Sequence, residues 1–272
     1  MAITTRTLAG RVPAAQVSLV RFVVGLSGAG VLFLARRRGP DLRRWGLLVL
    51  RGGFGGAAVL TYFLAIERLG AAAGTVLNYT APVFASVFAH LFLGERSAWT
   101  ARSGLVLATL GAALVAFSSA SASPLATPVV GVLAGLSAPV FGGAALTAMK
   151  KVRDDTDALS VFFALCAVGL VLSLPFAVNS WVPIDETTLV PLLAIGGLGL
   201  LGQLLLTWGM GHTTATAGSA TTQLVPAFAW VLALGWLHEA VQPLAVLGAA
   251  LCVSGVVGGV IPWRRLRAAS SG

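Results

Sequence analysis

Charge is what this chain has least of. Only 10% of its 272 residues are Asp, Glu, Lys or Arg, against about 25% in an ordinary soluble domain. So little charge cannot clothe a surface that faces water on every side. Cysteine is scarce as well. Cys166 and Cys252 both fall inside apolar runs, where they read as small buried hydrophobes rather than a disulfide or a metal pair. His90, His212 and His238 have no cysteine or carboxylate at ligand spacing, and Glu239, directly after His238, points to another helix face. No metal and no cofactor is therefore expected. There is no Gly-x-Ser-x-Gly elbow, no His-Glu-x-x-His and no phosphate-binding loop, so an enzyme or an ATP-driven pump has no support. Nor does any Asp or Glu lie in the middle of an apolar stretch, where proton- or sodium-coupling carboxylates sit.

What is present is hydrocarbon. Hydrophobic residues make up 57% of the chain and the mean hydropathy is +0.91. This predicts an all-α polytopic membrane protein whose main partner is the lipid bilayer. A net charge of +9 raises the question of nucleic acid. The basic residues, however, stand in short clusters between apolar spans, a pattern of membrane topology and not of a basic groove; no nucleic-acid partner is expected. Apolar spans fall near 14–35, 45–66, 71–93, 103–119, 128–149, 158–178, 189–210, 214–237 and 243–262, nine in all. A small, uncharged stretch at 118–127 joins four spans to five. Arg36, Arg37, Arg38, Arg43, Arg44, Lys150, Lys151, Arg153, Arg264, Arg265 and Arg267 collect on alternate loops. Those loops and the C-terminus are expected to face the cytoplasm, with the protein in the inner membrane.

The chain also repeats itself. Moved by 144 positions, Pro82 falls on Pro226, Gly74 on Gly218 and Glu95 on Glu239. Without a gap, Gly52, Gly53 and Gly55 meet Gly196, Gly197 and Gly199, and Gly104 and Gly111 meet Gly248 and Gly255. Two units follow, 1–120 and 126–264, with a tail at 265–272. By the loop charges Glu95 ends its span inside and Glu239 ends its span outside, so the units are inverted copies, an arrangement common in secondary transporters. The span at 128–149 has no counterpart in the first unit: the first helix of that repeat is missing, and residues 1–13 read as its tail and the following loop. A start codon assigned too late is the expected reason, with a natural nine-helix chain as the alternative.

Proline inside a helix removes one hydrogen bond and frees the carbonyl four residues earlier. Pro82 frees Asn78 and Pro226 frees Thr222, each beside polar side chains. Asn78, Tyr79, Thr222 and Gln223 are therefore expected to line one cavity, because unsatisfied backbone in hydrocarbon is tolerated only where protein or water covers it. Tyr62, Gln203 and Trp208 are second-rank lining candidates, as is Ser137, which lies just before a third helix-kinking proline, Pro139. Arg21 and Arg51, near the starts of their spans, read as anchors that snorkel to the interface. Glu95 and Glu239 read as caps or orienting groups at helix ends, and Gly74 and Gly218 as points of close helix approach.

The run Asn78-Tyr-Thr-Ala-Pro-Val-Phe-Ala-Ser-Val-Phe-Ala-His-Leu-Phe-Leu-Gly-Glu-Arg96, followed by Gly104 and Gly111, resembles the EamA family of the drug/metabolite transporter superfamily. The second copy, Gln223-Leu-Val-Pro226 to His238-Glu239, is similar but has His238 where the family often has glycine. The resemblance implies ten helices in two inverted five-helix repeats, cytoplasmic termini and a central cavity. It also implies export or exchange of a small-molecule substrate by alternating access. This chain departs from the pattern in its first helix. A membrane scaffold that no longer transports is the alternative function.

Overall fold

The structure, a computed structural model, describes residues 8, 11–69, 71–95, 99–118, 128–225, 227–228 and 243–260. Among these there is helix and no strand. In chain order the helices are α1 (Ala14–Arg36), α2 (Trp45–Leu69), α3 (Ala71–Asn78), α4 (Ala81–Leu93) and α5 (Trp99–Ser118). They continue with α6 (Pro128–Arg153), α7 (Ala158–Asn179), α8 (Glu186–Met210), α9 (Ala215–Thr221) and α10 (Pro243–Val260). Six helices are long and apolar enough to cross a bilayer, α3 and α4 counting together as Gly74–Leu93; stretches of α5 and α10 are apolar but shorter. Large side chains such as Leu34, Phe92 and Val190 stand exposed on their outer faces. In water that would be costly at about 25 cal/mol per Å²; in lipid it costs nothing. The fold is that of a polytopic helical membrane protein. Pro226, His238, Glu239 and Arg264 to Arg267 lie outside the described residues.

Helices that are apolar all round cannot select partners by hydrophobicity, so their contacts depend on where backbones can approach. Glycine sets those points here. A methyl at Gly25 of α1 would sit 2.6 Å from Cys166 Sγ of α7, and one at Gly169 of α7 would sit 2.6 Å from Phe22 Cζ of α1. A methyl at Gly52 of α2 would lie 2.8 Å from Val168 Cβ of α7, and one at Gly196 of α8 would lie 2.6 Å from Val24 Cβ of α1. A methyl at Gly111 of α5 would lie 2.5 Å from the Gly248 carbonyl oxygen of α10, and one at Gly255 would lie 2.6 Å from the Gly104 carbonyl oxygen. Each of these contacts therefore comes twice, with both partners moved by the offset of 144.

Polar ties follow the rule in one partner only, the second lying three residues from the equivalent position. Gln16 of α1 donates to the Val182 carbonyl at 2.8 Å and accepts from the Val182 N–H. Ser160 of α7, its counterpart, accepts from the Asp41 N–H at 2.8 Å. Gly74 and Gly218 do mark close approaches, to the Ile66 N–H and to Met210 Sδ respectively. Ahead of α1, Leu8 and Val12 are buried with Phe63, Ile66, Leu192 and Ile195 of α2 and α8.

Helix ends are capped across the bundle. Asp157 and Asp185 each cap their own helix, α7 and α8, by accepting backbone N–H bonds, which satisfies donors that have no intrahelical partner. At the start of α1 the cap position is Pro13, and Glu67 of α2 takes over the role by accepting from the Ala14 N–H at 2.8 Å. Glu95 accepts from the Ala215 N–H of α9 at 2.8 Å and from Thr216. The capping role expected of Glu95 is thus observed, across 120 positions of sequence.

Candidate functional site

Two helix breaks face each other. The first lies at Tyr79–Thr80, between α3 and α4, just before Pro82 at the start of α4. The second follows α9 at Thr222–Gln223, ahead of Pro226. A proline has no N–H and clashes with the preceding turn, so each helix loosens where the repeated proline begins to act. Gln223, fully buried, spans the gap: its Nε2 donates to the Tyr79 carbonyl at 2.6 Å and to Thr109 Oγ1 of α5 at 2.9 Å. Its Oε1 is buried without a partner, which is costly unless something else donates to it. Tyr79 and Gln223 occupy the same position in the two sequence copies. Nearby, Cys252 Sγ lies 3.5 Å from the Ala108 carbonyl, another pair separated by 144.

The remaining residues expected from sequence divide into groups. Asn78 is half-buried at the end of α3. The Thr222 hydroxyl turns back to the Ser219 carbonyl at 2.6 Å and Ser137 to the Ala134 carbonyl at 3.1 Å. Both are local helix bonds. Tyr62 of α2 reaches Thr75 of α3 at 3.4 Å. Helix α6 runs on through Pro139. Trp208 is 60% exposed and lies against the His212 ring, on the outside and apart from the others. Gln203 of α8 belongs to a different cluster.

That cluster centres on Arg51 of α2, which does not snorkel. It is 4% exposed, and its Nη2 donates to Gln203 Oε1 at 3.3 Å and lies 3.7 Å from Met149 Sδ of α6. Its Nε has no hydrogen-bond partner. The guanidinium lies over Gly55, where a methyl would collide with Nη1. Beside it a pocket walled by Arg21, Phe22, Phe162, Leu165, Cys166 and Gln203 leaves about 10 Å³ free, on the order of one water. An arginine inside an apolar span is a signal of function in its own right, and Arg51 is the residue that the expected set lacks.

Outside the spans, Asp185 shows how the caps work. Its carboxyl is held below the usual carboxylate range, first by the Thr188 hydroxyl, then by the Thr188 N–H and the Thr187 hydroxyl. Among the described residues, no group of three His, Cys, Asp or Glu side chains is placed to hold a metal ion.

Lipid-compatible helices, two helix breaks and a buried arginine with no carboxylate partner among the described residues define a polytopic membrane protein. Comparison with known proteins gives the family. The model of the EamA-like transporter family matches residues 1–117 and again 129–260, and the chain belongs to that family. It is a transporter and not an enzyme. The pseudopaline exporter CntI of Pseudomonas aeruginosa is 31% identical over 250 residues, 89% of this chain and 84% of that one. A probable terminal-alkyne amino-acid exporter of Streptantibioticus cattleyicolor is 29% identical over 280 residues, covering 94% and 91%. A solved crystal structure at 20% identity superposes with a TM-score of 0.79 over 96% of this chain and 92% of that one, a likeness of fold.

Proposed function

We propose that this chain is a secondary exporter of small organic metabolites, amino-acid-like in kind, working by alternating access between two inverted repeats, 1–120 and 126–264. The observation that carries the reading is the reciprocity of the contacts. When residue i meets j and their copies 144 positions on meet in the reverse sense, the two units are related as in an isologous pair. Tyr79–Gln223 and Ala108–Cys252 then lie on the two-fold axis itself. With an odd number of spans separating each residue from its copy, that axis lies in the membrane plane, as in transporters built from inverted repeats. Nine spans result, with loops 36–44 and 150–157 and the C-terminus in the cytoplasm and the protein in the inner membrane. The two separate family matches and the named cargo of the Streptantibioticus relative support the reading from outside the chain.

The substrate path runs between the helix breaks, along Asn78, Tyr79, Thr222 and Gln223, with Tyr62 and Gln203 further along it. Gln223 bridges the breaks in a closed form and releases the Tyr79 carbonyl when the halves part. The test is counterflow of radiolabelled amino acids in vesicles containing the protein. Gln223→Ala and Asn78→Ala should each cut the rate while leaving expression normal. Mutants that transport at the unaltered rate would contradict this path.

A further inference from the structure

The feature that the exporter reading leaves unused is Arg51. We propose that Arg51, seated over Gly55 and held by Gln203, is the anchor for the carboxylate of an anionic or zwitterionic substrate. The inference rests on the exporter reading and adds the chemical class of the solute.

Four observations carry it. The guanidinium is 4% exposed and sits among α2, α6 and α8, away from lipid, so a lipid phosphate does not reach it. No acidic side chain among the described residues is within ion-pair distance of it. The described carboxylates all stand at helix ends or in loops, with Glu67, Glu95, Asp157 and Asp185 held in caps. Its contacts are a neutral amide oxygen and a thioether, and Nε keeps an unspent donor. Finally, a second cation, Arg21, lines the same small pocket as Gln203, the residue that holds Arg51. Two cations that border one interior with no counter-ion among the described residues suit an anion.

Room for the cation is built in. Gly55 leaves the space that Nη1 occupies, and Gln203 fixes the plane of the guanidinium, leaving donors for the two-pronged recognition that arginine gives a carboxylate. The free volume beside Arg21 and Gln203 is about 10 Å³, so this is an occluded form. Entry of a carboxylate requires α8 to move away from α1, the motion that alternating access supplies. The second half of the chain has Leu165 and Ile195 at the positions equivalent to Arg21 and Arg51. The anchor therefore belongs to the first half alone, and the solute is gripped by its charged end from one side.

The test is thermal unfolding of the full chain in lipid nanodiscs with matched probes: L-leucine and L-phenylalanine, their N-acetyl forms, and their amides, which lack the carboxylate. The acids and N-acetyl acids should raise Tm and the amides should not. Arg51→Gln should weaken the acids about 10- to 150-fold, the cost of a lost bond to a charged group, and Arg51→Lys should weaken them less. Gly55→Ala keeps every charge but pushes the guanidinium off its seat, and should act like Arg51→Gln. Shifts by the amides equal to those of the acids would overturn the anchor. So would a shift that survives in Arg51→Gln, or no shift by any of the acids. Counterflow with the same probes separates the two levels of the argument. Binding of acids without flux removes the exporter reading and leaves the anchor. Flux of the amides at the rate of the acids removes the anchor and leaves the exporter.

Discussion

The two halves of this molecule share a skeleton and differ in their interior. At three close approaches both halves keep glycine: Gly25 and Gly169, Gly52 and Gly196, Gly111 and Gly255 face reciprocal partners. Where a side chain points into the protein, the halves part company. The first carries Arg21, Arg51 and Tyr79, and the second places Leu165, Ile195 and Gln223 there. On the proposed duplication, packing would constrain both copies equally, since each of these helices meets the copy of its partner. Binding constrains only the residues that meet the solute, and a solute has no two-fold symmetry. Shared geometry with divergent chemistry is the result.

The largest effect should come from breaking the shared skeleton. Alanine at Gly111 would place Cβ 2.5 Å from a backbone oxygen, and alanine at Gly255 would place it 2.6 Å from one. Neither neighbour can rotate away, so α5 and α10 must separate. Overpacking of this kind costs about 1–3 kcal/mol. Both variants should lower Tm in nanodiscs by similar amounts, because the contact is the same one seen from either side. A large loss at one and none at the other would break the equivalence of the halves.

Next comes the bridge on which the halves differ. Gln223→Leu removes two donated bonds and leaves the Tyr79 carbonyl and Thr109 short of a partner, at about 1–3 kcal/mol. Tyr79→Ala keeps the carbonyl that Gln223 uses and should disturb the bridge less. Urea or thermal unfolding of the pair would show whether the backbone carbonyl, and not the phenol, is what Gln223 needs.

Smaller and opposite in sign is the effect at Gly53 and Gly197. They occupy equivalent positions in the two copies, and a methyl at either meets nothing within 4 Å. Alanine should stabilise each helix by about 0.4–1 kcal/mol, against the losses expected one residue earlier at Gly52 and Gly196. A Tm series over the four single variants tests this directly.

The last effect is a pH dependence at the α8 cap, where Asp185 holds the helix start while its equivalent ahead of α2, Asp41, accepts from the Arg43 side chain instead. The Asp185 carboxyl is held below its ordinary value by Thr188 and Thr187. A depressed folded-state value means that the stabilisation is present above the unfolded value, about 3.9, and is lost as the pH falls through the folded one. Tm should therefore drop in acid slightly more for the parent chain than for Asp185→Asn. Identical acid profiles would mean that the cap contributes nothing.

Much of this is legible in the sequence, for a definable reason. Glycine and proline act on the backbone, so their spacing survives duplication, and the offset of 144 by itself marks both the helix approaches and the breaks. Glu95 is readable as a cap from its place after an apolar run. Its target, the N–H groups of Ala215 and Thr216, is not, since nothing local couples positions so far apart. Arg51 reads as a snorkelling anchor because α2 is apolar all round, and a helix without a polar stripe gives no sign of which face is buried. Glycines one and four residues on, Gly52 and Gly55, turn that face toward the protein, and Arg51 is carried inward with them. Trp208 illustrates the reverse: a polar-tipped ring in an apolar span reads as interior and lies on the outside.

If the halves are inverted as proposed, positions 144 apart open to opposite sides of the membrane. Leu42 and Glu186 are such a pair, both exposed in loops or first turns. In a chain with Cys166 and Cys252 replaced by alanine, Leu42→Cys and Glu186→Cys should be probed separately with a membrane-impermeant maleimide on intact cells. Position 186 should label rapidly, and position 42 only after the cells are opened. Labelling of both positions from the same side would contradict the inversion.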